Sequence, residues 1–331
     1  MPYRAAVIGL GNIGFKFSFD TKRTGTWTHV DAYSRCPATT LVGAVEIDPA
    51  TVAQFHTLFP HIPVFNSVRE LCENVSPDIV SIAVPTPYHH QIFCELTEYP
   101  VRALFCEKPM SLSPVTSREM VTRARRKNIV VAVNYTRRWQ NSYRNIKKII
   151  KEGKIGKLQT IHAFYPGQIY NIGSHLFDAI RMLGDIEPVS ISAVKNNGGS
   201  DPSLSGWILI RDGALVTFSV TGKREDLVFE IDLVGDQGRI KSHNNGNATD
   251  YFLFKESTHY SGYRELVKET IVVPPENDRF VDAVQDIASV LDGRNLDVQC
   301  TGFDGLAVDT LIGAALGSSA RNGTPVDVKI E

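Results

Sequence analysis

Short apolar runs alternate with helix-like patterns over the first 135 residues of the chain. Apolar runs separated by segments with apolar residues every three or four positions are typical of βαβ units. The pattern therefore predicts a parallel sheet with helices packed on its faces. The strand candidates are Arg4–Ile8, Leu41–Val45, Val64–Phe65, Ile79–Val84, Ala103–Cys106 and Ile129–Val133.

The clearest helix of this region follows the fifth strand candidate. Ser113 is a good N-cap, Pro114 suits the first helical position, and the basic run Arg123–Lys127 suits the last turn. Asn128 then ends the predicted helix. Cations at a helix end are ordinary, so we interpret the basic run as a solvated helix end rather than a binding patch.

The pattern changes near Lys157, where strand-like runs begin that are separated by Gly, Asp and Asn. These runs predict a mostly antiparallel sheet. Helical patterns occur at 172–183, 277–291 and 302–319. We therefore predict an α/β domain over residues 1–135, followed by an α+β domain with an open, mostly antiparallel sheet over residues 136–331. The C-terminal helix is able to pack back on the first domain.

Composition excludes several classes of protein. The chain has 331 residues, of which 43% are hydrophobic and 21% charged, as in a globular protein of about two domains. The net charge of -1 gives no electrostatic reason to expect a nucleic acid or an anionic membrane as partner. We find no predominantly apolar window of about 20 residues and no signal-peptide pattern at the N-terminus, so we expect a cytoplasmic protein without a membrane span.

The five cysteines indicate reduced thiols rather than disulfides or a metal centre. They show no CxxC spacing and no histidine partners at the intervals typical of metal ligands. We therefore expect no metal site. The cysteines are Cys36, Cys72, Cys94, Cys106 and Cys300.

A glycine-rich turn follows the first strand candidate. Gly9, Gly11 and Gly14 stand in G-x-G-x-x-G register, which allows a tight turn and the close approach of a pyrophosphate to a helix N-terminus. The motif alone is weak, because a glycine-rich turn also occurs in other α/β proteins. Its position favours a Rossmann dinucleotide-binding domain. The spacing from Gly14 to Glu46 is longer than usual, which indicates an inserted loop after the motif.

Glu46, at the end of the second strand candidate, favours NAD over NADP. A carboxylate there can accept hydrogen bonds from the ribose hydroxyls and would repel a 2′-phosphate. Ile47 supplies no cation that could replace it.

Glu107 and Lys108 stand at the end of a buried strand candidate and are followed by Pro109. The carboxyl ends of strands in an open α/β sheet face the crevice in which ligands bind. A lysine there can bridge cofactor and substrate and polarise a carbonyl. The alternative is a solvated loop lysine, the commoner interpretation of a single Lys-Pro pair. A cis Lys108–Pro109 bond is plausible, because proline lowers the cost of that isomer.

Two further segments contain candidate site residues. Pro85 and Pro87 rigidify the end of the fourth strand candidate, just before His89. Asn171, His175 and Asp178 are spaced to share one face at the start of a single helix. A lone histidine on an apolar helix is more often structural, but a stripe of three polar residues favours a site.

Together these features resemble the Gfo/Idh/MocA family of oxidoreductases along essentially the whole chain. The resemblance includes "GLGNIG", "VPTPYHH", "EKP", "NYTRRW", "IGSHLFD" and the final segment from Asp304 to Val328. It implies a Rossmann domain, an open-sheet domain with dimer contacts, and NAD(P)-dependent chemistry on a hydroxyl of a sugar or cyclitol. The implied assembly is a homodimer or homotetramer formed through the C-terminal sheet.

The resemblance also implies roles for individual residues. Lys108 and His175 match catalytic positions, with His175 as the acid/base, and Asn171 joins them. Arg138, Asp178 and Tyr135 match substrate-binding positions. The implied cofactor-binding positions are Gly9, Gly11, Asn12, Ile13, Gly14, Glu46, Pro85, Thr86, His89, Glu107 and Lys108.

Asn171 departs from the family pattern, in which many members carry an aspartate. An amide cannot take up a proton at neutral pH, so a proton relay through this position is in doubt. The branch that resembles UDP-N-acetylglucosaminuronate 3-dehydrogenases also carries "NIG-H", which points towards a nucleotide sugar. Two alternatives stay open: an NAD-retaining glycosidase or eliminase of the same superfamily, and a non-catalytic NAD-binding regulatory protein.

Overall fold

The computed structural model describes residues 1–197, 199–211 and 213–330. The chain divides into two compact units. The first contains Met1–Trp139 and Asn277–Asp309, and the second contains Gln140–Glu276 and the chain from Thr310 onward. The predicted domain division after residue 135 stays a prediction.

The first unit is built on a parallel sheet, which confirms the predicted α/β class. Within the described residues this sheet has six strands in the order β3-β2-β1-β4-β5-β6. That order is the one typical of Rossmann domains, in which ligands bind where the strand order reverses. The strands are β1 (Tyr3–Ile8), β2 (Thr39–Val45), β3 (Val64–Phe65), β4 (Ile79–Ile82), β5 (Ala103–Cys106) and β6 (Val130–Val133).

The second unit is built on a mixed sheet, mostly antiparallel as predicted. Within the described residues its order is β14-β13-β12-β11-β7-β10-β9-β8-β15, and the pair β7–β10 is parallel. The strands are β7 (Leu158–Tyr165), β8 (Pro188–Lys195), β9 (Leu204–Ile210), β10 (Leu215–Val220), β11 (Glu230–Gly235), β12 (Gly238–His243), β13 (Ala248–Glu256), β14 (Arg264–Glu269) and β15 (Val326–Asp327).

The four helices whose positions the sequence predicted begin and end within about two residues of those positions. In chain order they are α1 (His29–Arg35), α2 (Pro49–Leu58), α3 (Val68–Val75), α4 (His89–Leu96), α5 (Pro114–Arg126), α6 (Asn141–Lys151), α7 (Ser174–Gly184), α8 (Arg279–Leu291) and α9 (Gly302–Ser319). The Ser113 side chain accepts a hydrogen bond from the Val115 amide, as its N-cap prediction requires. Helix α8 and the Gly302–Asp309 part of α9 belong to the first unit.

One face of the second unit's sheet is buried and the other is open within this chain. Ile208 and Ile210 of β9 are buried, whereas the intervening Leu209 is 36% exposed. Phe164 of β7 and Leu215 of β10 are likewise exposed. This alternation follows the two-residue period of a strand. In the part of the chain that the structure describes, no helix is both long and apolar enough to cross a bilayer.

Candidate functional site

The glycine turn after β1 has a different steric reason for each of its three glycines. Gly9 has a φ of +92°, and a Cβ there would lie 2.9 Å from the backbone nitrogen of Val84. A Cβ on Gly14 would lie 2.0 Å from the Gly9 carbonyl oxygen. A Cβ on Gly11 would meet no atom within 4 Å. Gly9 and Gly14 therefore permit the turn itself, while the space beside Gly11 fits the approach of a pyrophosphate.

The Glu46 carboxylate is held by backbone amides just after β2. Its Oε2 accepts a hydrogen bond of 2.9 Å from the Leu10 amide, within the glycine turn. Its Oε1 accepts from the amides of Ile47 at 2.8 Å and Asp48 at 2.9 Å. Both oxygens of a carboxylate have further acceptor capacity. The arrangement therefore fits a group that binds ribose hydroxyls beside the glycine turn.

The inserted loop predicted after Gly14 interrupts a helix that begins in the glycine turn and resumes as α1. The His29 amide donates to the Ile13 carbonyl and the Val30 amide to the Gly14 carbonyl, each at 3.1 Å. In an uninterrupted α-helix those carbonyls would accept from residues four positions later. About twelve residues are therefore extra, and without them the spacing from Gly14 to Glu46 would be about twenty, the usual value.

The loop after β4 is tied to the turn after β5 by a buried histidine. His89 is 1% exposed. Its Nε2 lies 2.8 Å from the Val84 carbonyl and its Nδ1 lies 3.1 Å from the Pro109 carbonyl. Burial lowers the pKa of His89. The ring thus links two loops; Pro85 and Thr86 begin the 3-10 turn that precedes it.

The turn after β5 carries a buried carboxylate. Glu107 is 7% exposed, and its Oε1 accepts hydrogen bonds from His29 Nε2 at 2.9 Å and Asn134 Nδ2 at 2.5 Å. Burial raises the pKa of Glu107, but the hydrogen bond from His29 and the nearby charges outweigh it, so the pKa lies below its ordinary value. The Lys108–Pro109 peptide bond is cis, the isomer that the sequence made plausible.

The segment after β6 places Tyr135 and Arg138 in the interior. Tyr135 is fully buried, and Arg138 is 8% exposed. Arg138 Nη2 lies 2.8 Å from Asp304 Oδ1, and its Nη1 donates to the Gln299 carbonyl at 3.0 Å. These contacts account for part of the guanidinium's bonding capacity. The substrate-binding roles of both residues stay predictions.

The predicted polar stripe of the second unit is only partly helical. His175 and Asp178 lie in α7, and Asp178 is buried. Asn171 instead belongs to a π-helical turn, Ile169–Gly173, that leads into α7. The expectation that all three share one α-helical start was therefore wrong for Asn171. The Gly173 amide donates at 3.0 Å to the Gln168 carbonyl, five positions earlier, which makes the turn π-helical, and such turns often occur at functional sites.

A cavity of about 550 Å³ in the second unit includes Asn171. This volume falls within the range of small-molecule sites, about 300–1,000 Å³. Carboxamides and two cations dominate its polar lining. The lining residues are Gly167, Gln168, Asn171, Asn196, Asn197, Ser203, Val220, Gly222, Lys223, Arg224 and Glu225.

Sequence reasoning missed His29 and Asp309. The inserted loop hides the relation of His29 to the glycine turn, and no short motif marks Asp309. Asp309 is buried in α9 and accepts hydrogen bonds at Oδ2 from Ser117 Oγ at 2.6 Å and the Ser111 amide at 2.9 Å. Burial raises the pKa of Asp309 to about 8.

Three possible metal ligands also come together on the described surface of the first unit. The ligand atoms of His90, Cys94 and Glu119 lie within 4.8 Å of one another. His90 Nε2 already lies 2.9 Å from Glu119 Oε2, and Arg123 donates to the other Glu119 oxygen at 3.0 Å. This ion-pair cluster satisfies the charged groups without a metal, so we assign no ion to it.

Comparison with known sequences finds similar oxidoreductases. The GFO_IDH_MocA family model, described as an oxidoreductase family with an NAD-binding Rossmann fold, matches residues 3–135. The uncharacterized oxidoreductase YrbE of Bacillus subtilis is 24% identical over 356 residues, covering 98% of this chain and 96% of YrbE. The scyllo-inositol 2-dehydrogenase (NADP(+)) IolW of the same bacterium is 22% identical over 314 residues, covering 80% of this chain and 83% of IolW.

The coverage of other relatives is smaller. This chain spans about half the length of several curated relatives that it matches, for example 54% in one case at 25% identity.

Among solved structures, levoglucosan dehydrogenase in complex with NADH has a TM-score of 0.80 and 18% identity, covering 99% of this chain and 100% of that one. At such identity the structural likeness shows the fold alone. The family model thus covers residues 3–135 and YrbE aligns along nearly the whole chain, so this chain is similar to oxidoreductases of the Gfo/Idh/MocA family.

Proposed function

We propose that the protein transfers a hydride between NAD and a secondary hydroxyl or keto carbon of a sugar, nucleotide sugar or cyclitol. The observation that carries the proposal is the position of Lys108, which follows β5 in a sheet whose glycine turn follows β1. Both lie at the carboxyl edge of one parallel sheet, the edge at which open α/β sheets bind their ligands.

The relatives support the substrate class. IolW is named for the oxidation of scyllo-inositol, and levoglucosan dehydrogenase for the oxidation of levoglucosan. A cavity lined by carboxamides in the second unit supports the same class, because amide groups donate and accept hydrogen bonds and so suit a substrate rich in hydroxyls. The eliminase and regulatory alternatives gain no comparable support.

Glu46 supports NAD as the preferred form of the cofactor. Its carboxylate is fixed by three backbone amides, so a 2′-phosphate could not displace it without breaking those hydrogen bonds. Ile47, the next residue, is 78% exposed and uncharged. IolW is named as an NADP(+) enzyme, so the family itself does not decide between the two cofactors.

The chain's own residues perform the proton transfer and the charge stabilisation in this proposal. Bound nicotinamide supplies the hydride acceptor or donor at its C4 position. His175 takes the proton of the substrate hydroxyl as general base, and Lys108 stabilises the oxyanion that develops on that oxygen. Asn171 orients the substrate by hydrogen bonding, because its amide cannot take up the proton.

A turnover screen tests the proposal. The full chain is mixed with NAD and a panel of sugars, cyclitols and UDP-sugars, and formation of NADH is followed by absorbance. We expect turnover with at least one polyol and its loss in His175→Ala. NAD binding without turnover of any polyol would instead favour the regulatory alternative and refute the proposal.

The purified protein also allows a test of its expected localisation and binding partners. We propose a cytoplasmic protein whose partner is a small molecule rather than a nucleic acid or a membrane. The formal net charge of -1 supports this, because it provides no general attraction to polyanions. Retention on heparin at physiological salt would contradict it.

A further inference from the structure

A chain of buried polar side chains runs through the first unit and ends at Glu107. Tyr33 Oη lies 2.7 Å from Ser81 Oγ, Ser81 Oγ lies 2.8 Å from His29 Nδ1, and His29 Nε2 lies 2.9 Å from Glu107 Oε1. Tyr33, Ser81 and His29 are fully buried. Such a chain is costly to bury unless each of its members is satisfied.

Proton counting gives this chain a direction. A carboxylate only accepts hydrogen bonds, so His29 Nε2 must donate to Glu107. In the neutral tautomer that donates at Nε2, the imidazole accepts at Nδ1; in that form Ser81 donates to His29 and in turn accepts from Tyr33. Burial raises the pKa of Tyr33 far above its ordinary value, which keeps its hydroxyl protonated. Every donor in the chain therefore points towards Glu107.

The Glu107 carboxylate connects this chain of hydrogen bonds to the turn that carries Lys108. Asn134 Nδ2 donates to the same Oε1 at 2.5 Å. The other oxygen, Oε2, accepts from the Lys108 backbone amide at 3.2 Å. The carboxylate is thus held on one side by two side chains and holds on the other side the amide of Lys108.

His29 also connects this carboxylate to the glycine turn. Its ring makes edge contacts with Phe105 and Phe280, at centroid distances of 4.8 and 5.1 Å. Its backbone amide donates to the Ile13 carbonyl at 3.1 Å. One rigidly packed residue therefore contacts the glycine turn, β4 through Ser81 and the turn after β5.

We propose that His29 and Glu107 are positioning residues that fix the backbone from which the Lys108 side chain departs. The inference rests on the proposed role of Lys108. Groups that hold a catalytic side chain in place matter for rate, since a displacement of about 1 Å can cost about a hundredfold. Neither His29 nor Glu107 needs to touch substrate in this scheme.

The hydrogen-bond direction is tested in the full-length protein without any substrate. Histidine is labelled with ¹⁵N, and long-range ¹H–¹⁵N spectra at pH 7 are assigned with His29→Gln. We expect the His29 ring to be protonated at Nε2 and unprotonated at Nδ1. Protonation at Nδ1 alone would reverse the chain and overturn the proposal. This measurement does not depend on the variants' activity.

The positioning role is tested with Glu107→Gln, His29→Leu and His29→Gln, and with His90→Gln as the control. His90 is a half-buried histidine on the surface of α4, outside the chain described above. We expect Glu107→Gln and His29→Leu to lower kcat by about tenfold to a hundredfold while NADH affinity changes less than about threefold. His29→Gln keeps a donor of similar reach and should recover most of kcat.

A readout at Lys108 itself separates this proposal from the proposed function. Labelling by an amine-selective reagent, followed at Lys108 by peptide mass spectrometry, reports the environment of the lysine without turnover. We expect Glu107→Gln and His29→Leu to change its labelling rate and His90→Gln to leave it unchanged. If Glu107→Gln folds and both kcat and Lys108 labelling are unaltered, the positioning role is wrong. If no polyol is turned over, the function fails, and the labelling rate alone decides.

Discussion

Ser117 donates a hydrogen bond of 2.6 Å to Asp309, across 192 positions of sequence. The acceptor is a buried carboxyl, and burial raises its pKa to about 8. The ordinary pKa of an aspartate is about 3.9. The folded protein therefore keeps a proton at Asp309 between about pH 4 and pH 8 that the unfolded chain releases.

The Asp309 proton predicts how stability depends on pH. Because the folded state binds more protons in this window, the contribution of Asp309 to the free energy of unfolding falls as pH rises from about 4 to 8. The difference amounts to at most about 5 kcal/mol. Asp309→Asn removes the titrating group, so it should gain stability relative to wild type as pH rises. Urea titrations at pH 5 and pH 8, with the exposed Asp327→Asn as control, measure this, and a pH-independent difference would contradict it.

The Glu46 prediction concerns cofactor preference. We expect NADH to bind at least about tenfold tighter than NADPH, because placing a 2′-phosphate beside the carboxylate costs more than about 1.4 kcal/mol. Glu46→Ser combined with Ile47→Arg should shift the preference towards NADPH. Fluorescence titration with both cofactors measures this.

A lysine near Glu46 supplies the control for the cofactor prediction. The hydrogen bond from Thr51 lowers the pKa of Asp48, two residues after Glu46, and the charge of Lys16 contributes to this. Lys16→Ala in the double-variant background shows whether the new preference depends on the introduced arginine alone or also on Lys16. Equal binding of NADH and NADPH by the wild type would refute the role of Glu46.

The open face of the second unit's sheet predicts an oligomer. Leu209, Phe164 and Leu215 expose apolar side chains on this face, and the opposite face is filled by residues such as Ile208. Exposed apolar side chains on an open sheet face are typical of a subunit interface. We expect a homodimer or homotetramer by light scattering at micromolar concentration. Leu209→Arg should dissociate it, whereas an equivalent charge at Val272, an exposed residue outside the sheet, should not. A wild-type monomer would contradict the prediction.

The elements of this fold were predictable wherever the cause is local. Helix α5 begins where Ser113 caps and Pro114 starts it, and β5 coincides with its apolar run. The residues missed depend on the tertiary structure. His29 lies next to Glu107 only because the chain leaves a helix after Gly14 and returns to it. Asn171 could not be placed either, because spacing alone does not distinguish a π-helical turn from the first turn of an α-helix.

The last prediction concerns the two residues proposed to carry the chemistry. Lys108→Ala and His175→Ala should each lower kcat/KM by about a hundredfold or more, because one removes the group that stabilises the oxyanion and the other removes the general base. NADH affinity should change little, since the glycine turn and Glu46 are untouched. Steady-state kinetics with the best substrate of the turnover screen, together with NADH titration, measure both quantities. Lys127→Ala is the matched control, because this lysine is an exposed cation after α5 that pairs with Glu98. A Lys108→Ala enzyme with the rate of Lys127→Ala would show that Lys108 is a solvated loop lysine and would end the proposed mechanism.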